Sequence, residues 1–512
     1  MLNNLGLKFL DLVEKNGKKN AVVINNKKIS FNFLNQNSNK ICKWLILKGL
    51  KVNDVICVSS EKNVFNYSLI IALIKLGITY VVLDRKSPSS RLNKIINQVN
   101  PTAIILHEKK AITNIRFKKI YTKKNIHLKK NKIKKIKLFD YIYKVPSASI
   151  AYLMFTSGST GSPKGVAISH SKLLFFSNWC KENFKISSSD RATNVNALFF
   201  DNSVFDIFGA LFNGACIYPL SRIQIINVTE TLKYLKKNKI TIWFSVPSLI
   251  LYFQKFKIFN QKKLPSLKKI IFGGEGFPKK SLKRLFYDFK KNAKLYNVYG
   301  PTECTCICSS YIISKFDFNF KEMSKLAPFG KSLANNFNYM ILDNGNNLVK
   351  PGEVGELFIG GDNVANGYYN LPEETKKKFV QNPQHNDYID TFYKTGDLVY
   401  QDKFNKLIYF SARKDNQIKH NGYRIELDEI ENNISLIKGV KECVVTYGKK
   451  NKLDEITAWV DTNLKNKDIR SNLENKLPHY MLPKNIFTKT SIPKNANGKI
   501  DRKLLKKRYY DG

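Results

Sequence analysis

The chain has 512 residues, 43% of them hydrophobic, which is more than the roughly 250–300 residues one hydrophobic core serves and too apolar for a disordered tail. Its 86 Lys+Arg against 40 Asp+Glu leave a formal charge of +46, but the excess is Lys spread along the chain with abundant Asn and Ile, a bias of A/T-rich codons rather than the clustered Arg and aromatics of a nucleic-acid interface. No apolar run reaches the roughly 20 residues of a membrane span, so neither nucleic acid nor membrane insertion is expected.

The first element is an amphipathic helix over 1–19, where Asp11 and Glu14 break the apolar run and separate it from a secretory leader. Residues 54–60 (DVICVSS) read as a strand. Residues 65–76 repeat apolar side chains at helical spacing and stop at Gly77. Strands follow at 79–83 and 102–106, then at 216–219, 240–245 and 269–272. This alternation predicts parallel sheets covered by helices. The Lys-rich stretch 118–137, interleaved with Ile and Leu, reads as a solvated face beside strands.

The eight Cys make no regular framework; Cys304, Cys306 and Cys308 have strand spacing, which puts them on one face, and lack the paired spacing of a zinc site. Free thiols and the absence of a leader predict a cytoplasmic protein. From about residue 340 turn residues multiply (DNGN at 343–346, Pro351-Gly352, Gly360-Gly361), predicting a β-rich subdomain at about 335–411. Beyond Arg413 the pattern becomes helix (426–436), strands (442–447, 456–460) and helix (469–476). The fold class is therefore α/β. A large N-terminal domain (1–411) of helix-covered parallel sheets carries the β-rich subdomain, and a hinge joins it to a small C-terminal α+β domain (416–512).

Residues 152–165 (YLMFTSGSTGSPKG) carry the sharpest chemical signal. A strand runs into seven consecutive small or hydroxyl residues and then Pro163-Lys164-Gly165. Glycines let successive N–H groups turn toward one anion, the hydroxyls add donors, and the lysine adds charge. The Lys precedes its Gly, so this is not a Walker A loop. The segment resembles the signature loop of the adenylate-forming superfamily of acyl-CoA synthetases, luciferases and amino-acid adenylation domains. The resemblance continues, in order, over nearly the whole chain.

Residues 76–84 with Pro88 and Arg91 resemble the family's early scaffold motif, with Arg85 where Pro is usual. The resemblance implies that Thr156, Ser157, Gly158, Ser159, Thr160, Gly161 and Lys164 hold the ATP phosphates. In residues 199–209 (FFDNSVFDIFG) it implies that Asp201 pairs with a substrate α-ammonium, and a buried cation does need a carboxylate partner. Residues 271–275 (IFGGE) place Gly274 against adenine. In residues 295–303 (LYNVYGPTE), Tyr299 would stack on adenine and Asn297 bond its amino edge. Thr302 would touch the α-phosphate and Glu303 hold Mg²⁺.

Residues 355–361 and 367–369 match a structural motif; in 393–397 (YKTGD) Asp397 would accept the ribose hydroxyls. In the hinge, 411–426, Asp415 is the expected pivot, Arg413 a ribose or phosphate contact, and Ala412 stands where Gly is usual. Lys499, in 493–502 (PKNANGKIDR), would bridge the substrate carboxylate and the α-phosphate. By the same resemblance Asn202, Phe205, Ile271, Gly273, Val298, Cys306 and Ile307 line the side-chain pocket, with a further position near Ser248. None of those seven is charged, which favours a small, mostly uncharged amino acid.

The implied reaction uses ATP and Mg²⁺ to convert that amino acid to its acyl-AMP, with Lys499, Glu303, Thr302 and Arg413 as catalytic residues. The small domain then swings about Asp415, and the segment around Gly422 faces the site while a phosphopantetheine thiol takes the acyl group. Ten residues follow Arg502. The expectation is thus a freestanding enzyme serving a separate carrier protein, laid out like D-alanine–D-alanyl carrier protein ligase and equally like freestanding adenylation enzymes of nonribosomal peptide synthesis. A basic surface suits an acidic carrier. The alternatives are an acyl- or aryl-CoA ligase, against which Asp201 argues, and a non-catalytic nucleotide- or nucleic-acid-binding protein, against which the intact Lys164, Glu303, Asp397 and Lys499 argue.

Overall fold

The computed structural model describes residues 3–108, 115, 117–126, 136–158, 161–318, 326–330, 337–450, 453–488, 492–494 and 500–510. Ser159, Thr160, Lys499 and residues 127–135 of the Lys-rich stretch lie outside the described residues.

Two mostly parallel sheets form the large domain. The six-stranded sheet runs Ile120–Thr122, Ala103–Leu106, Val55–Ser59, Thr79–Leu83, Ile150–Thr156, Lys164–Ser169, with the last pair antiparallel. The eight-stranded sheet runs Ser309–Ile312, Lys294–Tyr299, Lys269–Gly273, Ile242–Ser245, Arg191–Asn194, Cys216–Pro219, Asn20–Ile24, Lys27–Ser30, antiparallel only at its two edges. Val55–Ser59 and Thr79–Leu83 are buried at every position, as strands covered on both faces must be. One core joins both sheets, with Ile56, Tyr80 and Tyr152 from the first and Val22, Phe244 and Ile271 from the second, through Leu5–Asn16, Phe31–Leu47, Val64–Lys75 and His170–Phe184. No helix among the described residues is long and apolar enough to cross a membrane.

An antiparallel sheet follows, built from Phe337–Leu342, Gly355–Gly361, Thr391–Gln401, Phe379–Gln381 and Ile408–Arg413. Its last ladder sets Asp397 directly opposite Arg413. Ala412 sits in this ladder opposite Leu398, extended backbone that needs no glycine. Next comes the hairpin Gln417–His420/Tyr423–Glu426. Its turn residues Asn421 and Gly422 both have positive φ (52° and 83°), the requirement of a tight Asn-Gly turn. The small domain is completed by Leu427–Ser435, the antiparallel pair Val440–Lys450/Leu453–Thr462, the parallel strand Asn485–Thr488, and Asn466–Glu474 and Arg502–Tyr510. It buries its own core around Ile430, Val445, Ala458 and Leu473.

One local expectation is corrected. Cys304, Cys306 and Cys308 are not strand neighbours: Thr302–Cys304 is a 3₁₀ turn, and Thr305 and Cys306 take left-handed φ of 54° and 73°. That turn sends Cys306 into the inter-sheet core and Cys304 and Cys308 into the core under the antiparallel sheet. The segment after Asp201 is helical but not uniformly α: Phe205–Ala210 forms a π-turn, a distortion frequent at functional sites.

Candidate active site

Strands from both sheets end at one place. Ile150–Thr156, Lys269–Gly273 and Lys294–Tyr299 deliver Thr156, Gly273 and Tyr299 to the wall of a single cleft. The carboxyl ends of parallel strands are where open α/β sheets bind ligands. The C-terminal domain closes the cleft with Lys419, Gly422, Arg424 and Tyr480. Gly273 is required by the packing of the wall: a Cβ there would meet the Val298 carbonyl oxygen at 2.3 Å.

Asp201, at the start of the helix, lines the cleft and accepts a 2.5 Å hydrogen bond from the Thr302 hydroxyl. Burial raises its carboxyl above the usual aspartate range, and the Thr302 bond offsets only part of that. Its bonded partner is thus a hydroxyl rather than a cation. Asn202, Gly273, Val298, Cys306 and Ile307 lie with it in the wall, as do Met154 and Phe244. Phe205 and Ile271 do not: both are fully buried in the inter-sheet core, Phe205 against Phe184 and Phe244. The helical register that aims Asp201 and Asn202 at the cleft turns Phe205 inward.

Asp397 and Tyr299 form the other end. Tyr299 donates to Asp397 at 2.5 Å, and Arg413 donates to the other carboxylate oxygen at 2.7 Å. Arg413 also grips Asp415 through two nitrogens, at 2.8 and 2.6 Å, so one guanidinium joins Asp397 to the expected hinge. Phe329 stacks on Tyr299, centroids 3.9 Å apart and planes 12° from parallel, and the Lys419 ammonium lies over the ring, 5.7 Å from its centroid. Asn297 is outside the wall: its amide donates to the Pro328 carbonyl at 2.9 Å and so anchors the segment bearing Phe329. Gly274 lines the cleft with φ of 88°.

The loop that follows Ile150–Thr156 is engaged by carboxylates and by the small domain. Lys164, buried, donates to Glu374 at 2.7 Å. Hydrogen bonds from Lys164 and Lys377 hold the Glu374 carboxyl down at about 2. Ser157 donates to the Arg424 carbonyl at 3.0 Å, and the Gly158 N–H donates to Glu429 at 3.3 Å. Gly161, at φ 77°, packs near Asn432 of the small domain.

Glu303 is fully buried, accepts from the Tyr368 hydroxyl at 2.7 Å and is paired with Arg424 at 2.6 Å. Burial alone would raise its carboxyl; Arg424 and Tyr368 outweigh it and hold the group below the usual carboxylate range. A site that seats a guanidinium on a buried carboxylate also fits a hard divalent ion. Mg²⁺ commonly takes one or two protein carboxylates and completes its shell with water and phosphate oxygens. Among the described residues no cluster of three or more His, Cys, Asp or Glu offers an all-protein metal cage.

Sequence reasoning placed Arg91 in a scaffold motif and Arg424 in the hinge motif without naming their partners, and did not single out Phe329, Glu374 or Glu429. Their partners lie from tens to hundreds of positions away, so no local spacing announces them.

A family model described as AMP-binding enzyme matches residues 9–369, and one described as AMP-binding enzyme C-terminal domain matches residues 429–499. Surfactin synthase subunit 2 of Bacillus subtilis is 30% identical over 97% of the chain, and tyrocidine synthase 3 of Brevibacillus parabrevis is 31% identical over 95%. The chain spans only 13% and 7% of the lengths of those synthases. A D-alanine–D-alanyl carrier protein ligase of Bacillus cytotoxicus is 29% identical over 98% of the chain and 99% of its own length. Among solved structures, the Vibrio cholerae adenylation domain AlmE in complex with glycyl-adenosine-5'-phosphate superposes with a TM-score of 0.84 at 22% identity, covering 99% of this chain and 98% of that one. An artificially fused adenylation-PCP di-domain from Klebsiella oxytoca superposes at 0.79 with 20% identity, covering 95% and 94%. These likenesses show the adenylation-domain fold.

Proposed function

The chain belongs to the AMP-binding enzyme family, and from that premise we propose that it activates a small, mostly uncharged amino acid as its aminoacyl-AMP and passes it to the phosphopantetheine thiol of a separate carrier protein. The observation that carries the amino-acid reading is Asp201. It is a half-buried carboxylate in the cleft wall, bonded to a hydroxyl and open to a cation supplied by substrate. The D-alanine–D-alanyl carrier protein ligase relative, matched over its full length, supports a small amino acid and a carrier acceptor.

In the first step a substrate carboxylate oxygen attacks the α-phosphorus of ATP. The new O–P bond forms as the bond to the β-phosphate oxygen breaks, and pyrophosphate leaves with that electron pair. The carboxylate is already ionised, so no general base is needed; the task is alignment and charge neutralisation. Asp201 holds the ammonium, Thr302 sits beside it, and the loop through Thr156, Ser157, Gly158 and Gly161 cradles phosphate with Lys164 behind it. Asp397 takes the ribose hydroxyls, tied to Arg413, and Tyr299 is assigned to the base by its motif. Mg²⁺, when bound at Glu303 and the phosphates, supplies positive charge to the phosphate chain. Lys499 is assigned to the reacting carboxylate by its motif alone. In the second step the thiol sulfur attacks the acyl carbon and AMP departs.

The test is acyl loading. A phosphopantetheinylated carrier protein is incubated with the enzyme, ATP, Mg²⁺ and single amino acids, and its intact mass is read. A gain equal to one aminoacyl group, abolished by Asp201→Ala, is expected. Acylation of free coenzyme A by acids lacking an amino group, with no amino acid loaded, would overturn the assignment.

A further inference from the structure

Behind the amino-acid end of the cleft lies a buried polar network that the chemistry above does not use. Its centre is Asp206, fully buried in the π-turn Phe205–Ala210. One of its carboxylate oxygens accepts from the Asn194 amide at 2.6 Å and from the Asn196 amide at 3.1 Å. Asn194, also fully buried, ends the strand Arg191–Asn194, and its side-chain oxygen accepts from the Tyr67 hydroxyl at 2.7 Å. Asn196 donates as well to the carbonyl of Phe244, a residue of the cleft wall, at 3.4 Å. Lys62, in the segment that follows Val55–Ser59, donates to the Asn194 carbonyl at 2.8 Å and to the Leu220 carbonyl at 3.1 Å. Segments from the layers of both large-domain sheets thus converge around one carboxylate.

A carboxylate without exposure is costly unless partners hold it. Burial raises the Asp206 carboxyl, and the Asn194 bond, the Lys62 charge and the Asn196 bond each oppose that rise. These partners sit at strand ends, so they fix the place of Asp206 and with it the rotation of the helical segment that carries it. Asp201 and Asn202 open that segment on the cleft side, whereas Phe205 and Asp206 are fully buried behind it. A segment turned about its axis would carry Asp201 off the Thr302 hydroxyl, because a 2.5 Å hydrogen bond tolerates little displacement. We infer that Asp206 is a positioning residue for Asp201: the cradle of Lys62, Asn194 and Asn196 sets the rotation of the segment and so aims the Asp201 carboxylate at the substrate ammonium. The inference rests on the reading of Asp201 as the ammonium partner and deepens it by naming what holds that carboxylate in place. Asp206 itself touches no substrate; its effect passes through Asp201.

The experiment is a double-mutant cycle on the full chain, read by ATP–pyrophosphate exchange with glycine and each alanine enantiomer as probes. Asp206→Asn keeps the shape of the side chain and removes its charge. It should raise KM for the amino acid about ten- to hundred-fold and leave ATP affinity, measured by calorimetry, unchanged. In an Asp201→Asn background the same substitution should cause no further loss of kcat/KM, because the effect has nothing left to act through. Losses that add in the double variant would mark Asp206 as a support of the fold alone and overturn the inference. An unchanged KM in folded Asp206→Asn would also overturn it and leave the Asp201 reading standing. No loss in Asp201→Asn by itself, or no exchange by wild type with any of the three probes, would overturn both. If Asp206→Asn does not fold, Asn196→Ala takes its place in the cycle, since it leaves Asp206 the Asn194 bond and the Lys62 charge. A several-fold rise in KM that vanishes in the Asp201→Asn background is then expected, and an unchanged KM or an additive loss would overturn the inference.

Discussion

Asp201 is a carboxylate whose burial raises it and whose partner in the protein is the Thr302 hydroxyl. An ammonium entering the cleft would restore the charged form and be held by it. Asp201→Asn should therefore lower kcat/KM for the amino acid by about 2–5 kcal/mol, roughly 30- to 5,000-fold, while ATP binding by calorimetry stays near wild type. The raised carboxyl also fixes a sign. It loses its charge at a higher pH than a free aspartate, so KM for the amino acid should climb as pH falls through that raised value. In Asp201→Asn this limb should be flat. At the other end of the cleft, Asn297 anchors the backbone that carries Phe329 onto Tyr299. Asn297→Ala should raise KM for ATP several-fold and leave KM for the amino acid unchanged. Equal effects on both would contradict the separation of base and acid ends.

Among the elements, the strand Lys269–Gly273 shows how tightly the wall is built. A methyl at Gly273 would have to displace the Val298 carbonyl, and overpacking of this sort costs about 1–3 kcal/mol. Gly273→Ala should lower the urea midpoint of the large domain and weaken amino-acid binding together. The parallel strands were legible because Val55–Ser59 and Thr79–Leu83 are mostly apolar runs without the in–out alternation of a half-exposed strand, as burial on both faces requires. The Cys304–Cys308 segment was misread because a two-residue spacing looks the same in a strand and in a turn containing left-handed residues. Phe205 was misassigned because its motif position says nothing about the turn of the helix that buries it. Cleft residues such as Tyr299, at a strand end, and Asp201, at a helix start, were legible from motifs. Arg91–Glu429 and Arg424–Glu303 were not, since each joins residues of separate domains.

At the scale of the whole molecule, the +46 charge stands apart from the chemistry of the cleft. Its expected consequence is kinetic: long-range attraction speeds the encounter with an acidic partner and is screened by salt. Transfer to an acidic carrier should slow by roughly an order of magnitude as ionic strength rises from low to well above physiological, whereas amino-acid-dependent ATP–pyrophosphate exchange should move far less. Equal salt sensitivity of both would place the charge effect on the nucleotide instead. The central claim, that the cleft takes an acid bearing an amino group, is tested most directly by comparing ATP–pyrophosphate exchange with paired acids: glycine against acetate, and each alanine enantiomer against propionate. The account predicts exchange with at least one amino acid, little with its counterpart, and loss of that preference in Asp201→Asn. Exchange with acetate or propionate equal to or above that with the paired amino acids would contradict it.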